Sequence, residues 1–187
     1  MRELVILLEE PSARELLKTI VPRLFPDIKF VCMVFEGKQD LERNITRKLR
    51  GYLNPDARFL VIRDQDSGDC KTVKQRLVQK CIDSGKPRYK VRVMCHELET
   101  IYLADLKAVE EGLCLKNISA LQGKNPYRSP DSLTSPKQKL KELAAKYKGI
   151  YHDVAGSRSI APHLDLDNVR SPTFRNLVAA INELAKA

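Results

Sequence analysis

The 187-residue sequence has little of what the most recognisable catalytic chemistries require. Its five cysteines are odd in number and widely spaced, with no CxxC and no Cys-His pairing of zinc type. They read as free thiols, Cys32 and Cys95 inside apolar runs and Cys70 near the candidate site described below. The three histidines, His96, His152 and His163, lie far apart. No GxSxG elbow, P-loop lysine motif or HExxH helix is present, which argues against the serine-hydrolase, P-loop and zincin classes, and nothing singles out a Cys-His hydrolase. No stretch reaches the roughly 20 apolar residues that span a bilayer. The N-terminus runs directly into Arg2, Glu3 and a strand pattern, so no leader is read there and a cytoplasmic protein without membrane association is expected. Internal repeats, coiled-coil heptads and low-complexity tracts are missing too.

What is present is charge with an uneven distribution. The net charge is +9, and from Lys38 to Arg92 there are 15 Lys and Arg against 7 Asp and Glu. The rest of the chain carries 18 against 17, so nearly all the positive excess lies in one segment. A local basic field suits a polyanion, nucleic acid first among them. No aromatic platform is interleaved with these charges, and simple solvation of two helices stands as the alternative.

The first half alternates regularly. RELVILL, IKFVCMVF, ARFLVIR and YKVRVMC read as strands. Between them the periodicity predicts helices over 12–24, 40–50 and 71–82, and a further one over 99–109. Pro22 should break or kink the first helix near its end. Strands of six to eight residues alternating with longer helices indicate βαβ units, and continuous apolar strands indicate burial on both faces. The expected architecture is α/β, a mostly parallel sheet of about four strands sandwiched between helices, with a helical C-terminal extension. It is read as one domain over 1–187, with a core of about 1–110 and an extension over 111–187. In the extension, 117–136 is a Pro/Ser/Asn/Gly-rich excursion, 136–148 and 172–187 are helical, and 151–174 shows little periodicity.

Two acidic clusters follow buried strands: Glu9-Glu10 after LVILL, and Asp64-Gln65-Asp66 after FLVIR. Ligands of parallel sheets bind beyond the carboxyl ends of the strands. Carboxylates gathered there repel one another unless a cation lies between them, and hard oxygen donors suit magnesium, manganese or calcium. In an extended segment Asp64 and Asp66 share a side, so they can chelate together, although DQDSGD is also rich in turn formers. Glu9 and Glu10 face opposite ways if the strand continues, so one of them is expected to enter the site; helix capping is the competing role, with Ser12 as a further cap. His96, Glu97 and Glu99 follow the fourth strand, and their acids extend the candidate metal set.

LLEEPSARELL followed by VIRDQDSGDC resembles the TOPRIM signature, a glutamate after the first strand and a DxD after a later one. Together with GKQDLERNITRKLRGYL, HELETIYLAD and SRSIAPHLDLDNVRSPTF, the chain resembles a bacterial family of unknown function related to TOPRIM nucleases. The resemblance covers most of the chain in order. It implies magnesium- or manganese-dependent phosphodiester chemistry, with Glu9, Asp64 and Asp66 as catalytic metal ligands and Glu97 and Glu99 as further ones. Glu10 stands where the TOPRIM pattern usually has glycine. By analogy with relatives, an ATPase partner and a role in anti-phage defence are also implied.

The expectation is therefore a metal-dependent nuclease. Water is its nucleophile, Glu9 is the base if it is not a ligand, and Arg63, Lys71, Lys74 and Arg158 contact phosphate. The alternatives are a non-catalytic subunit that binds nucleic acid or an ATPase and retains the acids as remnants, and a small phosphotransferase or phosphohydrolase acting on nucleotides. A homo-oligomer or partner complex is a further expectation.

Overall fold

The computed structural model describes residues 3–186. Among these, four strands form one parallel sheet: β1 (Glu3–Leu8), β2 (Lys29–Val34), β3 (Ala57–Asp64) and β4 (Tyr89–Met94), in the order β2-β1-β3-β4. β1 and β3 are central and buried at every position, as their unbroken apolar runs require. The period of two sorts their side chains onto two cores. Leu4, Ile6 and Leu8, with Leu60 and Ile62, face one side; Val5 and Leu7, with Phe59, Val61 and Val91, face the other.

Three longer helices link the strands: α1 (Pro11–Leu24), α2 (Lys38–Arg50) and α3 (Cys70–Asp83). α2 presents Leu41, Ile45 and Leu49, and α3 presents Val73, Leu77 and Cys81, to the Val5 side. Asp69 caps α3 by accepting from the Thr72 amide at 2.8 Å. α1 opens on Pro11, covers the Leu4 side with Leu16, Leu17, Ile20 and Val21, and carries Pro22 inside its last turn without ending there. Because β1 leads outward to β2 while β3 returns on its other flank, the strand order reverses between β1 and β3. That reversal makes the crevice beyond their carboxyl ends the natural ligand position of the sheet.

The rest of the chain packs over the Leu4 side. The single helix expected over 99–109 is two, α4 (Glu99–Leu103) and α5 (Leu106–Gly112). Asp105 separates them, its side chain accepting from the Ala108 amide at 3.1 Å and so capping α5. Two 3-10 turns lie in the Pro/Ser-rich excursion, followed by α6 (Pro136–Lys146). α7 (Asp153–Ile160), which periodicity did not indicate, follows. Its inward face is small, with Gly156 against the Tyr151 ring, where a Cβ would meet ring carbon at 2.3 Å. Gly112 of α5 meets the Ser159 carbonyl as closely, so the two helices touch through backbone. α8 (Pro172–Lys186) buries Phe174, Leu177, Ile181 and Leu184; the last residue of its expected range, Ala187, lies outside the described residues. No described helix is long and apolar enough to cross a membrane.

Candidate active site

The alternation that builds the two cores also divides the acids. Asp64 continues the even-numbered side chains of β3, so it points with Leu60 and Ile62 toward α1 and the second half of the chain. Arg63 points the other way, with Phe59 and Val61, toward α2. Beyond Asp64 the strand ends and Asp66 adopts a left-handed backbone, φ 54°. Asp66 therefore does not share the side of Asp64, contrary to the extended-segment expectation. It turns to Lys38 at 2.9 Å and to Arg63 at 3.7 Å.

Arg63 itself corrects an expectation. It is 5% exposed and meets carboxylates, not solvent: Glu42 at 3.3 Å, Asp66 at 3.7 Å and Glu9 at 3.9 Å. A phosphate backbone has no access to it. Glu42, which the sequence did not single out, also pairs with Arg76 at 3.2 Å.

A second group of acids lies on the opposite side. Glu9, Glu10, Ser12, Arg63 and Asp64 line a small crevice closed by Ile62 and Leu98. Both glutamates thus enter it. Glu9 Oε2 accepts from the Asp64 amide at 3.2 Å, which ties the end of β1 to the end of β3. Glu10 stands at the N-cap of α1 but makes no capping bond; it accepts from Ser12 Oγ at 3.2 Å and faces Lys137 at 3.5 Å. Glu99, at the start of α4, is fully buried and accepts from the Tyr151 hydroxyl at 2.9 Å. Its other oxygen, Oε2, is buried without a hydrogen-bond partner. Among the described residues, the Asp64 carboxylate has no hydrogen-bond or ion-pair partner either, although Asp64 is only 9% exposed.

Burial and mutual repulsion hold Asp64, Glu99 and Glu9 protonated to higher pH than usual. The Asp64 carboxyl is pushed well up, first by burial and then by Glu99, Glu10 and Glu9. Glu99 is pushed up to about 7 by burial, against the pull of Lys137. Glu9 is raised by burial and by Asp66, with Arg63 and the Asp64 amide opposing. Lys137 is the cation the group faces: burial works against its charge, but Glu99, Glu10 and Asp153 outweigh that and hold it ammonium. It lies 3.3 Å from Asp153, which also meets Lys141 at 3.5 Å. Lys137, Tyr151 and Asp153 come from the irregular half of the sequence, and nothing in their local spacing marks them.

The remaining expected residues lie apart. Glu97 is engaged by α6, accepting from the Lys137 amide at 2.7 Å, so it serves that helix start instead of joining Glu99. Lys71 and Lys74 are exposed on α3. Arg158 sits on α7 with its Nε donating to Glu15 of α1 at 2.9 Å. Cys70 and Cys95 share an open pocket with Lys74 and Arg92, away from the acids.

Carboxylate oxygens, among them the buried, unpartnered Oε2 of Glu99, are the donor chemistry a hard divalent cation takes. As they stand, however, no three carboxylate, histidine or cysteine side chains among the described residues converge closely enough to hold one. Glu10 is turned to Lys137 and Asp66 to Lys38. The fit is therefore one of donor type and burial.

No curated protein is significantly similar to the chain in sequence. Its fold is similar to two solved structures. The C-terminal region of the Burkholderia pseudomallei OLD protein has a TM-score of 0.52 and 15% identity, over 96% of this chain and 97% of that one. The C-terminal region of the Xanthomonas campestris pv. campestris OLD protein has a TM-score of 0.50 and 13% identity, over 97% and 95%. Residues 8–182 match the family model described as a domain of unknown function, DUF4276, and the chain belongs to that family.

Proposed function

We propose that the protein is a magnesium- or manganese-dependent nuclease that hydrolyses phosphodiester bonds of nucleic acid. The observation that carries this is the partnerless, buried carboxylate of Asp64 at the sheet's switch point, with Glu9, Glu10 and Glu99 around it. Such an acid raises the free energy of the fold, and placement in a ligand crevice gives that cost a use. The TOPRIM resemblance and the fold shared with OLD C-terminal regions support the same reading.

Asp64 and Glu99 are the residues that would hold the cation, which leaves Glu9 as the base. When bound, the cation supplies Lewis acidity toward a phosphoryl oxygen and lowers the pKa of water. The chain does the rest. Glu9, half-buried and with a raised pKa, is suited to accept the proton of the attacking water. Lys137, held cationic, offsets negative charge gained by the phosphate as the bond breaks. Lys71 and Lys74, exposed on α3 in the basic segment, take the backbone, so binding weakens steeply with salt. A cytoplasmic setting, an ATPase partner, self-association and a role in anti-phage defence belong to this proposal.

A non-catalytic nucleic-acid- or ATPase-binding subunit is the second reading. It is favoured by the chain's own cations, Arg63 and Lys137, already facing the acids. Cleavage of single- and double-stranded DNA and of RNA, with Mg2+, Mn2+ or EDTA, separates the two. The nuclease reading expects metal-dependent cutting by the wild type that Asp64→Asn abolishes. Cutting that survives in the variant, or no cutting by a folded wild type with either metal, supports the second reading.

A further inference from the structure

We propose that Cys70 and Cys95 form a reversible disulfide, a peroxide-responsive clamp between the start of α3 and the end of β4. The proposal stands apart from the nuclease reading, since it needs only the two thiols and the elements that carry them.

The placement follows from the βαβ geometry. α3 returns across the sheet between two parallel strands, so its first residue lies at the edge where β4 ends. Cys70 opens α3 on the stripe that continues through Val73, Leu77 and Cys81 into the Val5-side core. Cys95 directly follows β4 and continues the row of Val91 and Val93, which face that same core. Each thiol is thus the outermost member of one of two rows that face each other. The structure brings both to one pocket of about 430 Å³, with Lys74, Arg92 and Asp131 on its walls. Burial, then Asp131, then Cys70 push the Cys95 thiol up, so the two sulfurs lie within electrostatic reach of one another.

The backbone around them is already joined. The Gln65 amide donates to the Met94 carbonyl at 3.0 Å and the Asp66 amide to the His96 carbonyl at 2.9 Å, which holds the two segments in register. Cys70 and Cys95 are both half-buried, whereas Cys81 is sealed in the core, Cys32 lies on β2 and Cys114 is exposed after α5.

Cys95 Sγ donates to the Asp131 carbonyl at 3.1 Å and so starts as the thiol, which makes Cys70 the first nucleophile. Its sulfur attacks hydrogen peroxide and breaks the O–O bond, giving a sulfenic acid while the departing hydroxide leaves as water with the thiol proton. The Cys95 sulfur then displaces hydroxide from the sulfenic sulfur, and this hydroxide takes the Cys95 proton and leaves as a second water. Two thiols lose two electrons, and one peroxide gains them. A dithiol reverses the bond by exchange. The closed bond ties together, at their roots, the loop that carries Asp66 and the loop that carries Glu97 and Glu99.

Peptide mapping of the full chain by mass spectrometry tests this, after reaction with hydrogen peroxide and alkylation of the remaining thiols without reductant. The expected result is three alkylated cysteines of the five, a monomer lighter by two hydrogens, and one peptide pair joined through Cys70 and Cys95 that dithiothreitol separates. Cys95→Ser should instead carry a sulfenic or sulfinic acid on Cys70 and no internal link. Oxidation should raise the melting temperature of the wild type by about 5 °C, as for closure of a loop of this length less some strain, and should not raise that of Cys95→Ser. Five alkylated thiols, a link through Cys32 or Cys114, oxidation of Cys70 and Cys95 without a link, or a linked chain that melts lower overturns the proposal. None of these outcomes bears on metal-dependent cleavage.

Discussion

The two faces of the sheet end in acids of opposite condition. On the α2 face, one buried guanidinium forms ion pairs with Glu9, Glu42 and Asp66, while its Nε and Nη1 have no hydrogen-bond partner among the described residues. On the α1 face, a lysine of the distant α6 approaches Glu10 and Asp153, and Asp64 is left without a partner. The first arrangement is what an acid cluster looks like when it serves the fold. The second keeps its charges in excess, with Asp64 and Glu99 raised by burial, and it is the face suited to chemistry. Adjacent residues of one strand, Arg63 and Asp64, belong to different functions because alternate side chains leave a strand on different sides.

The sharpest way to break the contrast is Arg63→Met. It leaves the half-buried Glu9 and Glu42 around a missing guanidinium, and urea denaturation should show a loss of about 3–5 kcal/mol. Lys137→Met should cost less, about 1–3 kcal/mol at pH 8, since Lys137 is only partly buried. That loss should shrink toward pH 5, because Glu99, raised to about 7, takes up its proton; a loss independent of pH would mean that Lys137 acts through packing alone.

Asp64→Asn should change stability in the opposite direction. A carboxyl raised in the folded state binds its proton more tightly there than in the unfolded chain, so stability falls as pH rises between the two pKa values. Asn removes that penalty. The variant should melt higher than wild type at pH 8 by about 2–4 °C, the shift of ~1 kcal/mol in a chain of this size. Near pH 4 the difference should vanish. Glu99→Gln should follow the same sign, with its gain developing between 4.5, the ordinary glutamate value, and about 7, while Oε1 still accepts from Tyr151.

The smallest effect belongs to Arg158→Ala. The Arg158 side chain is 68% exposed although its partner Glu15 is buried, so the pair should contribute less than about 1 kcal/mol in denaturation.

Much of this frame was legible in the sequence. Apolar runs of β1 and β3 could only be buried strands, and acids directly after them had to fall at the sheet's carboxyl edge. What the sequence could not show was which acids converge. Asp66 leaves the side of Asp64 because the strand stops between them, and strand ends are set by hydrogen bonding: the Asp66 amide donates to the His96 carbonyl at 2.9 Å. Lys137, on α6, and Tyr151, in the connection before α7, arrive through tertiary packing of segments that carry no local mark of the site. α7 escaped because its inward residues, Gly156 and Ser157, pack by being small rather than apolar, which periodicity does not register. Glu97 and Glu99, two residues apart, divide between a helix start and the site for reasons visible only once α6 is in place.

The most direct test is the melting temperature of wild type and Asp64→Asn at pH 8, each in EDTA and in excess Mn2+. The account predicts that the variant is the more stable of the two in EDTA. It also predicts that Mn2+ raises the wild type but not the variant, since a ligand that binds only the folded state stabilises it. A variant less stable than wild type in EDTA, or a wild type indifferent to Mn2+, would make Asp64 a structural acid and contradict the proposed active site.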